Sequence, residues 1–277
     1  MTWWAIEVRV EAVDRSRVAA WLVNETGQAV EERDDGSVIS FAEDESAAES
    51  LTGRLTSAFG AGVKVHRHPL DNIDWSTRWR DGLGPRRVGR LTVVPSWVNY
   101  QRAPDEAVVV MDPETAFGSG EHGSTRAALR LLSDCLVPGQ LVLDLGSGSG
   151  ILSIGAVRLG ARRAIGIEVD EEALPVAVRN AAANGVADRA QFMIGDAADL
   201  APLLGPADLV MSNILRTVNV TLFPAIRAAL RPGGTAIFSG MEEGEAAEFR
   251  ASLAVADFTI HSEVLDSGWW GVAATRT

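Results

Sequence analysis

The sequence predicts an α/β chain in two parts: a doubly wound, mostly parallel sheet with an antiparallel edge hairpin, preceded by a small α+β domain. Three observations predict it. From Leu141 onward, apolar strand-like runs alternate with helical segments, which implies a parallel sheet covered on both faces. The last two strand-like runs, in "FTIHSEVLDSGWWGVAAT", have no helix between them and read as a hairpin at one edge. Residues 1–68 follow the order βαββαβ, the ferredoxin-like pattern.

In chain order, "WWAIEVRV" (3–10) alternates as a half-buried strand, and "DRSRVAAWLVN" sets Val18, Trp21 and Leu22 on one helical stripe. "GQAVEERDDGSVISF" holds two short β runs joined by Asp-Asp-Gly, a hairpin signal. "DESAAESLTGRLTSAF" is a second helix, capped by Asp44 or Ser46, and "GVKVHRH" closes the first domain. Residues 69–104 contain the basic stretch "RWRDGLGPRRVGR" and read as a connector, with a short helix around Trp75 and Trp79 and a hinge near Gly82 to Pro85. Residues 105–277 form the second domain. After "LVLDLG" it carries a helix from about Gly150 to Leu159, the strand "RAIGIEVD", a helix around Leu174 to Asn184 and the strands "AQFMIGD" and "ADLVMSNI". A helix near Leu222 to Leu230, the strand "GTAIFSG", another helix and the hairpin follow.

The bulk numbers narrow the function. The chain has 277 residues, 47% of them hydrophobic, with eight tryptophans, enough for two cores. No apolar run approaches the about 20 residues of a membrane span, and the N-terminus lacks the basic and apolar regions of a secretory leader. A single cysteine, Cys135, fits a reducing, cytoplasmic setting and reads as a core residue. The net charge of −12 argues against gripping nucleic acid by its phosphates and suits a basic protein partner or a cationic cofactor. Lys64 is the sole lysine; every other basic residue is arginine.

Chemistry concentrates in "VLDLGSGSG". The strand ends at Asp144 and glycines fall at 146, 148 and 150, whereas a dinucleotide fingerprint needs glycine where Ile151 or Ser153 stands. An NAD-dependent oxidoreductase is thereby disfavoured. The turn resembles the D-x-G-x-G-x-G turn of class I methyltransferases, in which the backbone approaches the methionine part of S-adenosylmethionine and the acid, here Asp144, faces its cationic end. Glu168 ends the next strand, 18 residues beyond Gly150, where a carboxylate accepts two hydrogen bonds from a ribose diol. Asp196 ends the third strand and reads either as a group near the adenine or as a helix N-cap. Asn213 ends the fourth, outside the carboxyl ends of the strands where ligands bind. Ile214, Leu215 and Arg216 follow it in place of the two prolines and aromatic common in amine and amide methyltransferases, which favours an amine on a flexible side chain over a flat base.

A second Gly-rich loop, "DPETAFGSGEHGST" (112–125), lies just upstream of the first. Together with "VLDLGSGSGILSIGAVRLGA", "AIGIEVD", "SNIL" and "DWSTRWRDGLGPRRVGRLTVVPSW" (74–97), it resembles the bacterial methyltransferase family that modifies the large-subunit stalk-base ribosomal protein L11. The resemblance implies that this loop, with Phe117 and Gly118, closes over S-adenosylmethionine as a lid, that Thr125 contacts the cofactor, and that Gly146 and Gly148 form the floor. It also implies that the N-terminal domain grips a ribosomal protein whose N-terminal α-amine and lysines are methylated. The family commonly has Thr at Ser119, Pro at Gly123, Cys or Thr at Ser147, and Asp at Glu168. His122 lacks a second His or Cys at ligand spacing, so no metal is expected and a loop-ordering hydrogen bond is. Trp269 and Trp270 read as strand residues packing on opposite faces.

Asn213 is the expected catalytic group, accepting a hydrogen bond from the amine and aiming its lone pair without acting as a strong base. Deprotonating a lysine of pKa about 10.4 at pH 7 costs about 4.6 kcal/mol, against about 1 kcal/mol for an α-amine near 7.8. The alternatives are a methyltransferase for another protein's lysine or a small amine, and a cofactor-binding module without transfer activity.

Overall fold

A computed structural model of the chain describes residues 3–10, 15–26, 30–32, 36–69, 83–112 and 117–277. It divides into two compact units, Met1–Gly82 and Leu83–Thr277.

In the first unit, β1 (Trp4–Arg9), α1 (Arg15–Thr26), β2 (Glu31–Glu32), β3 (Ser37–Ala42), α2 (Glu45–Phe59) and β4 (Lys64–Pro69) follow the expected order. The sheet runs β2-β3-β1-β4 with every pair antiparallel. Strand alternation sends Ile6 and Val8 into a core with Val18, Leu22, Val38 and Leu55, while Glu7 and Arg9 take the other face. Of the two candidate caps for α2, Asp44 is the one used: its Oδ1 accepts the Ala47 N–H at 2.8 Å. The helix expected around Trp75 and Trp79, and Gly82 of the hinge, lie outside the described residues.

The second unit begins earlier than the sequence suggests. Residues read as connector form β5 (Arg86–Val88) and β6 (Leu91–Val94), which join β7 (Ala107–Val110) in a three-stranded sheet. Charged Arg86 and Arg87 hide this hairpin from a hydrophobicity reading, yet Val88, Leu91 and Val93 are buried in the main core. Then come α3 (Gly123–Cys135), β8 (Leu141–Leu145), α4 (Ile151–Arg158), β9 (Arg163–Glu168), α5 (Ala173–Ala183), β10 (Ala190–Ile194), α6 (Ala197–Leu204), β11 (Ala207–Asn213), α7 (Arg216–Ala229), β12 (Leu230–Glu242), α8 (Ala246–Val255), β13 (Phe258–Asp266) and β14 (Trp269–Arg276). Helix α6 is absent from the sequence reading; it is short and contains Pro202, and its N-terminus is marked by Asp196. Helix α7 starts several residues before Leu222, because Leu215 at its N-cap offers no capping side chain to announce it.

The seven-stranded sheet runs β10-β9-β8-β11-β12-β14-β13, parallel up to β12, with the expected antiparallel hairpin at the edge. Successive strand residues feed two cores, Ile237 into one and Phe238 into the other. The first core contains α3, α4 and β5–β7 residues; the second holds residues of α6, α7 and α8 and a cluster of Phe223, Phe238, Phe249, Phe258 and Trp270. Cys135 packs against the first core, and burial pushes its thiol up to about 11, so it stays protonated at neutral pH. Strand order reverses between β8 and β11, and the carboxyl ends of those strands open a crevice.

Candidate active site

The floor of the crevice is the turn from β8 to α4. Gly148 sits at φ 50°, and a Cβ there would lie 2.5 Å from the Phe117 carbonyl oxygen, so only glycine fits. That contact joins the two glycine loops. The Ser149 N–H donates to Phe117 O at 2.9 Å, and Ser149 Oγ donates to Gly118 O at 2.5 Å. The lid loop is thus stitched to the floor through its own backbone.

Asp144 holds this turn from behind. Its Oδ2 accepts from Ser153 N at 3.1 Å and Ser153 Oγ at 2.8 Å, fastening the first turn of α4, while Oδ1 has no partner. Burial raises its pKa to about 7, partly offset by the Ser153 bonds and reinforced by Glu168. A carboxyl whose folded pKa exceeds its unfolded value of 3.8 is protonated more readily when folded, so stability should rise as pH falls from about 7 toward 4. Asp144→Asn keeps acceptors for Ser153 and removes the charge. Unfolding free energies from urea curves should therefore climb in the wild type as pH falls from 8 to 5, by at most about 1.4 kcal/mol per unit, and flatten in the variant. Parallel curves would show that Asp144 does not titrate in this range.

Glu168 ends β9 and is buried. Its Oε2 accepts the Gly148 N–H at 2.8 Å, and its Oε1 accepts Val169 N–H at 2.9 Å and Asp170 N–H at 3.1 Å. Oε1 is therefore filled, and the carboxylate has room for one further donor through Oε2 rather than the two expected from sequence. Glu168→Ala should weaken S-adenosylmethionine binding at least tenfold, since one hydrogen bond to a charged group is worth about 1.5–3 kcal/mol. Calorimetry at unchanged affinity, with a melting curve showing the variant folded, would remove Glu168 from the cofactor site.

Asn213 ends β11. Its Nδ2 donates to Thr125 Oγ1 at 3.4 Å, and its Oδ1 is buried without a partner. Thr125 is fully buried in the first turn of α3. Across the cavity, the His122 ring lies 4.3 Å from Trp269 and 5.2 Å from Phe117, and His122 Nδ1 bonds Ser124 Oγ at 2.7 Å, the loop-ordering bond expected of it. Trp269 reaches this position because the β13–β14 turn lies against α3. A Cβ on Gly123 would fall 2.6 Å from Asp266 O and 2.7 Å from the Trp269 ring. Arg126 secures the turn, donating to Asp266 Oδ2 at 2.9 Å, to Ser267 Oγ and to the Glu121 carbonyl, and it holds the Asp266 carboxyl below the usual carboxylate range.

Together these groups enclose a cavity of about 390 Å³. Of the residues named from sequence, Phe117, Gly146, Gly148, Glu168 and Asn213 line it. Thr125, Asp144 and Gly118 stand behind the lining, while exposed Asp196 caps α6 through the Ala198 N–H at 2.8 Å. The sequence does not single out Ser124, Gly240 or Trp269 as cavity walls, and it marks Ile214 and Leu215 only as a departure from other amine enzymes. Period-two alternation separates Trp269 from Trp270 but cannot say which of the two faces a ligand.

The strand order, the reversal crevice and the three-glycine turn define a class I S-adenosylmethionine-dependent methyltransferase. A cradle floored by glycines whose Cβ space is taken, with the Glu168 carboxylate among its lining residues, suits that cofactor. The chain belongs to the ribosomal protein L11 methyltransferase (PrmA) family, which matches residues 3–277. It is 38% identical over 216 residues to the ribosomal protein L11 methyltransferase of Pelotomaculum thermopropionicum, covering 78% of this chain and 70% of that protein. With the Azotobacter vinelandii enzyme of the same name it is 37% identical over 233 residues, 83% of this chain and 77% of the other. The crystal structure of ribosomal protein L11 methylase from Lactobacillus delbrueckii subsp. bulgaricus superposes with a TM-score of 0.63 at 31% identity, over 70% of this chain and 100% of that one.

Proposed function

We propose that this enzyme transfers methyl groups from S-adenosylmethionine to amino groups of ribosomal protein L11, at the N-terminal α-amine and at lysine side chains. The observation that carries the reading is Asn213 Oδ1: a buried acceptor without a partner, on a residue that lines the cavity. An unsatisfied buried acceptor is costly, and an amine N–H satisfies it. Thr125 holds the other end of the amide, so the oxygen rather than the nitrogen faces the amine.

The bound cofactor supplies an electrophilic methyl group on a sulfonium, with no need for strong activation by the protein. Glu168 and the backbone at Gly146 and Gly148 are the groups that would hold it. Asn213 accepts one N–H of the neutral amine, which leaves the nitrogen lone pair directed into the cavity. Phe117, His122 and Trp269 wall that space with aromatic rings. Among the described residues, the titratable groups lining the cavity, His122 and Glu168, are engaged with Ser124 and with backbone amides. The amine proton therefore leaves to solvent, and the enzyme works on the fraction of amine already neutral. By that measure an α-amine is the easier acceptor and a lysine the harder one.

The described residues that line the cavity all fall within 83–277, which is the catalytic part; the N-terminal unit, acidic by residue count, is read as the grip on a basic ribosomal protein in the cytoplasm. No described helix is long and apolar enough to cross a membrane. The test is methyl transfer from labelled cofactor to purified L11 and to lysate of a strain lacking the gene. Label confined to L11 is expected. Label on a different protein or a small amine would replace this reading with one of those substrates.

A further inference from the structure

Asn219 lies in the first turn of α7, is fully buried, and is not among the described residues that line the active-site cavity. Its side chain commits both amide hydrogens to backbone: Nδ2 donates to Ile214 O at 3.0 Å and to Ser239 O at 3.1 Å. The two carbonyls fix which end of the amide is the nitrogen. Its Oδ1 has no partner among the described residues. A buried amide with one end unsatisfied is a costly occupant for a helix that otherwise buries Leu222, Phe223, Ala225 and Ile226, so packing does not account for an asparagine here.

Both carbonyls lead to Asn213. Ile214 is the next residue in the chain, in a turn that contains no proline to stiffen it. Ser239 is the β12 partner of Asn213 in the sheet register, and Ser239 Oγ donates to Ser124 O at 2.8 Å in the first turn of α3. The residue after Ser124 is Thr125, whose Oγ1 accepts from Asn213 Nδ2 at 3.4 Å. A closed ring therefore runs through Asn219, Ile214, Asn213, Thr125, Ser124 and Ser239, made of four hydrogen bonds and two peptide links. Space for it is left at Gly240, where a Cβ would fall 2.3 Å from Ile214 O. On its other side Ile214 lies over the cavity floor, with Cγ2 at 2.6 Å from the place of a Gly146 Cβ.

We infer that Asn219 is a positioning residue for methyl transfer: by tying Ile214 to β12 it sets the place of the Asn213 amide, and with it the direction in which the acceptor amine is held. The inference rests on the role proposed for Asn213. In the full-length enzyme, Asn219→Ala should lower kcat for L11 about tenfold, with a smaller change in calorimetric affinity for S-adenosylmethionine. Asn219→Leu keeps much of the side-chain volume but has no N–H to give, and should lose as much. A residue that only supports the fold would give losses that multiply with those of Asn213→Ala. A residue that acts through Asn213 gives a different result: the enzyme carrying both Asn213→Ala and Asn219→Ala should turn over no more slowly than Asn213→Ala alone. Ser239→Ala cuts the same ring at the bond to Ser124 and should show the same non-additivity on a smaller loss, which carries the test if the Asn219 variants melt below the assay temperature. Multiplying losses would overturn the inference, as would a loss confined to cofactor affinity or an unchanged kcat in the folded variants. The cycle needs only an amine that the enzyme methylates, so label found on a protein other than L11, or on a small amine, would replace the proposed substrate and leave the ring standing. Unaltered turnover in Asn213→Ala would instead remove the role of Asn213 and the inference with it.

Discussion

Replacing Asn213 with Ala is expected to lower turnover of bound L11 about a hundredfold, with a smaller change in S-adenosylmethionine affinity. The magnitude follows from what a misplaced reacting group costs: a shift of about 1 Å off the productive geometry can lose that factor. Oδ1 is a buried acceptor without a partner on a residue that lines the cavity, and the bond from Nδ2 to Thr125 Oγ1 sets which end of the amide is left free. Asn213→Asp should retain more turnover than Asn213→Ala, because one carboxylate oxygen still accepts the amine N–H while the other accepts the Thr125 hydroxyl. Because an interaction with the reacting amine is invoked, the loss belongs in kcat rather than in cofactor binding. Single-turnover kinetics with saturating L11, paired with calorimetry, separates the two. Unaltered turnover in Asn213→Ala would reduce Asn213 to a strand end.

The parts of this site that are legible in the sequence are those where backbone geometry restricts residue choice. Gly146 and Gly148 have to be glycine because their φ is positive and, at Gly148, the lid carbonyl occupies the space of a Cβ; such a constraint shows directly in the residue type. Glu168 and Asn213 are readable because strand ends in a doubly wound sheet face one crevice. Asp144 shares that address and Thr125 opens the helix after the second glycine loop, yet both stand behind the cavity, since residue position does not say whether a side chain points at the ligand or at the element beside it. Trp269 is unreadable as a wall for a different reason. It reaches the cavity only because a turn far along the chain is held to α3 by Arg126 and Asp266, a contact between residues 140 positions apart. Hairpin β5–β6 is hidden by its arginines, and the start of α7 by an uncapped Leu215. Asp196 shows the reverse case: the sequence leaves two readings open, and the bond to Ala198 N–H favours the helix cap.

A chain starting at Leu83 is expected to fold, to bind S-adenosylmethionine nearly as well as the full-length enzyme, and to lose nearly all methylation of L11. The folding half of the expectation rests on the cores. The two clusters flanking the seven-stranded sheet draw their buried residues from Val88 to Ala274, while the N-terminal cluster draws its own from Ile6 to Leu55. Every described residue that lines the cavity lies between Phe117 and Trp269, so the truncation leaves all of them in place. The recognition half rests on charge. Residues 1–68 hold twelve Asp and Glu against seven Lys and Arg, and a surface biased to negative charge speeds encounter with a basic protein, more at low salt than at high. The full-length enzyme should accordingly show a kcat/KM for L11 that falls as ionic strength rises. The truncated chain should retain little of that dependence in its residual activity. Paired measurement of cofactor affinity by calorimetry and of methyl incorporation into purified L11 decides the matter. Methylation of L11 at the full-length rate by the truncated chain would mean that the N-terminal unit is not the recognition module, and recognition would then have to come from the catalytic unit alone.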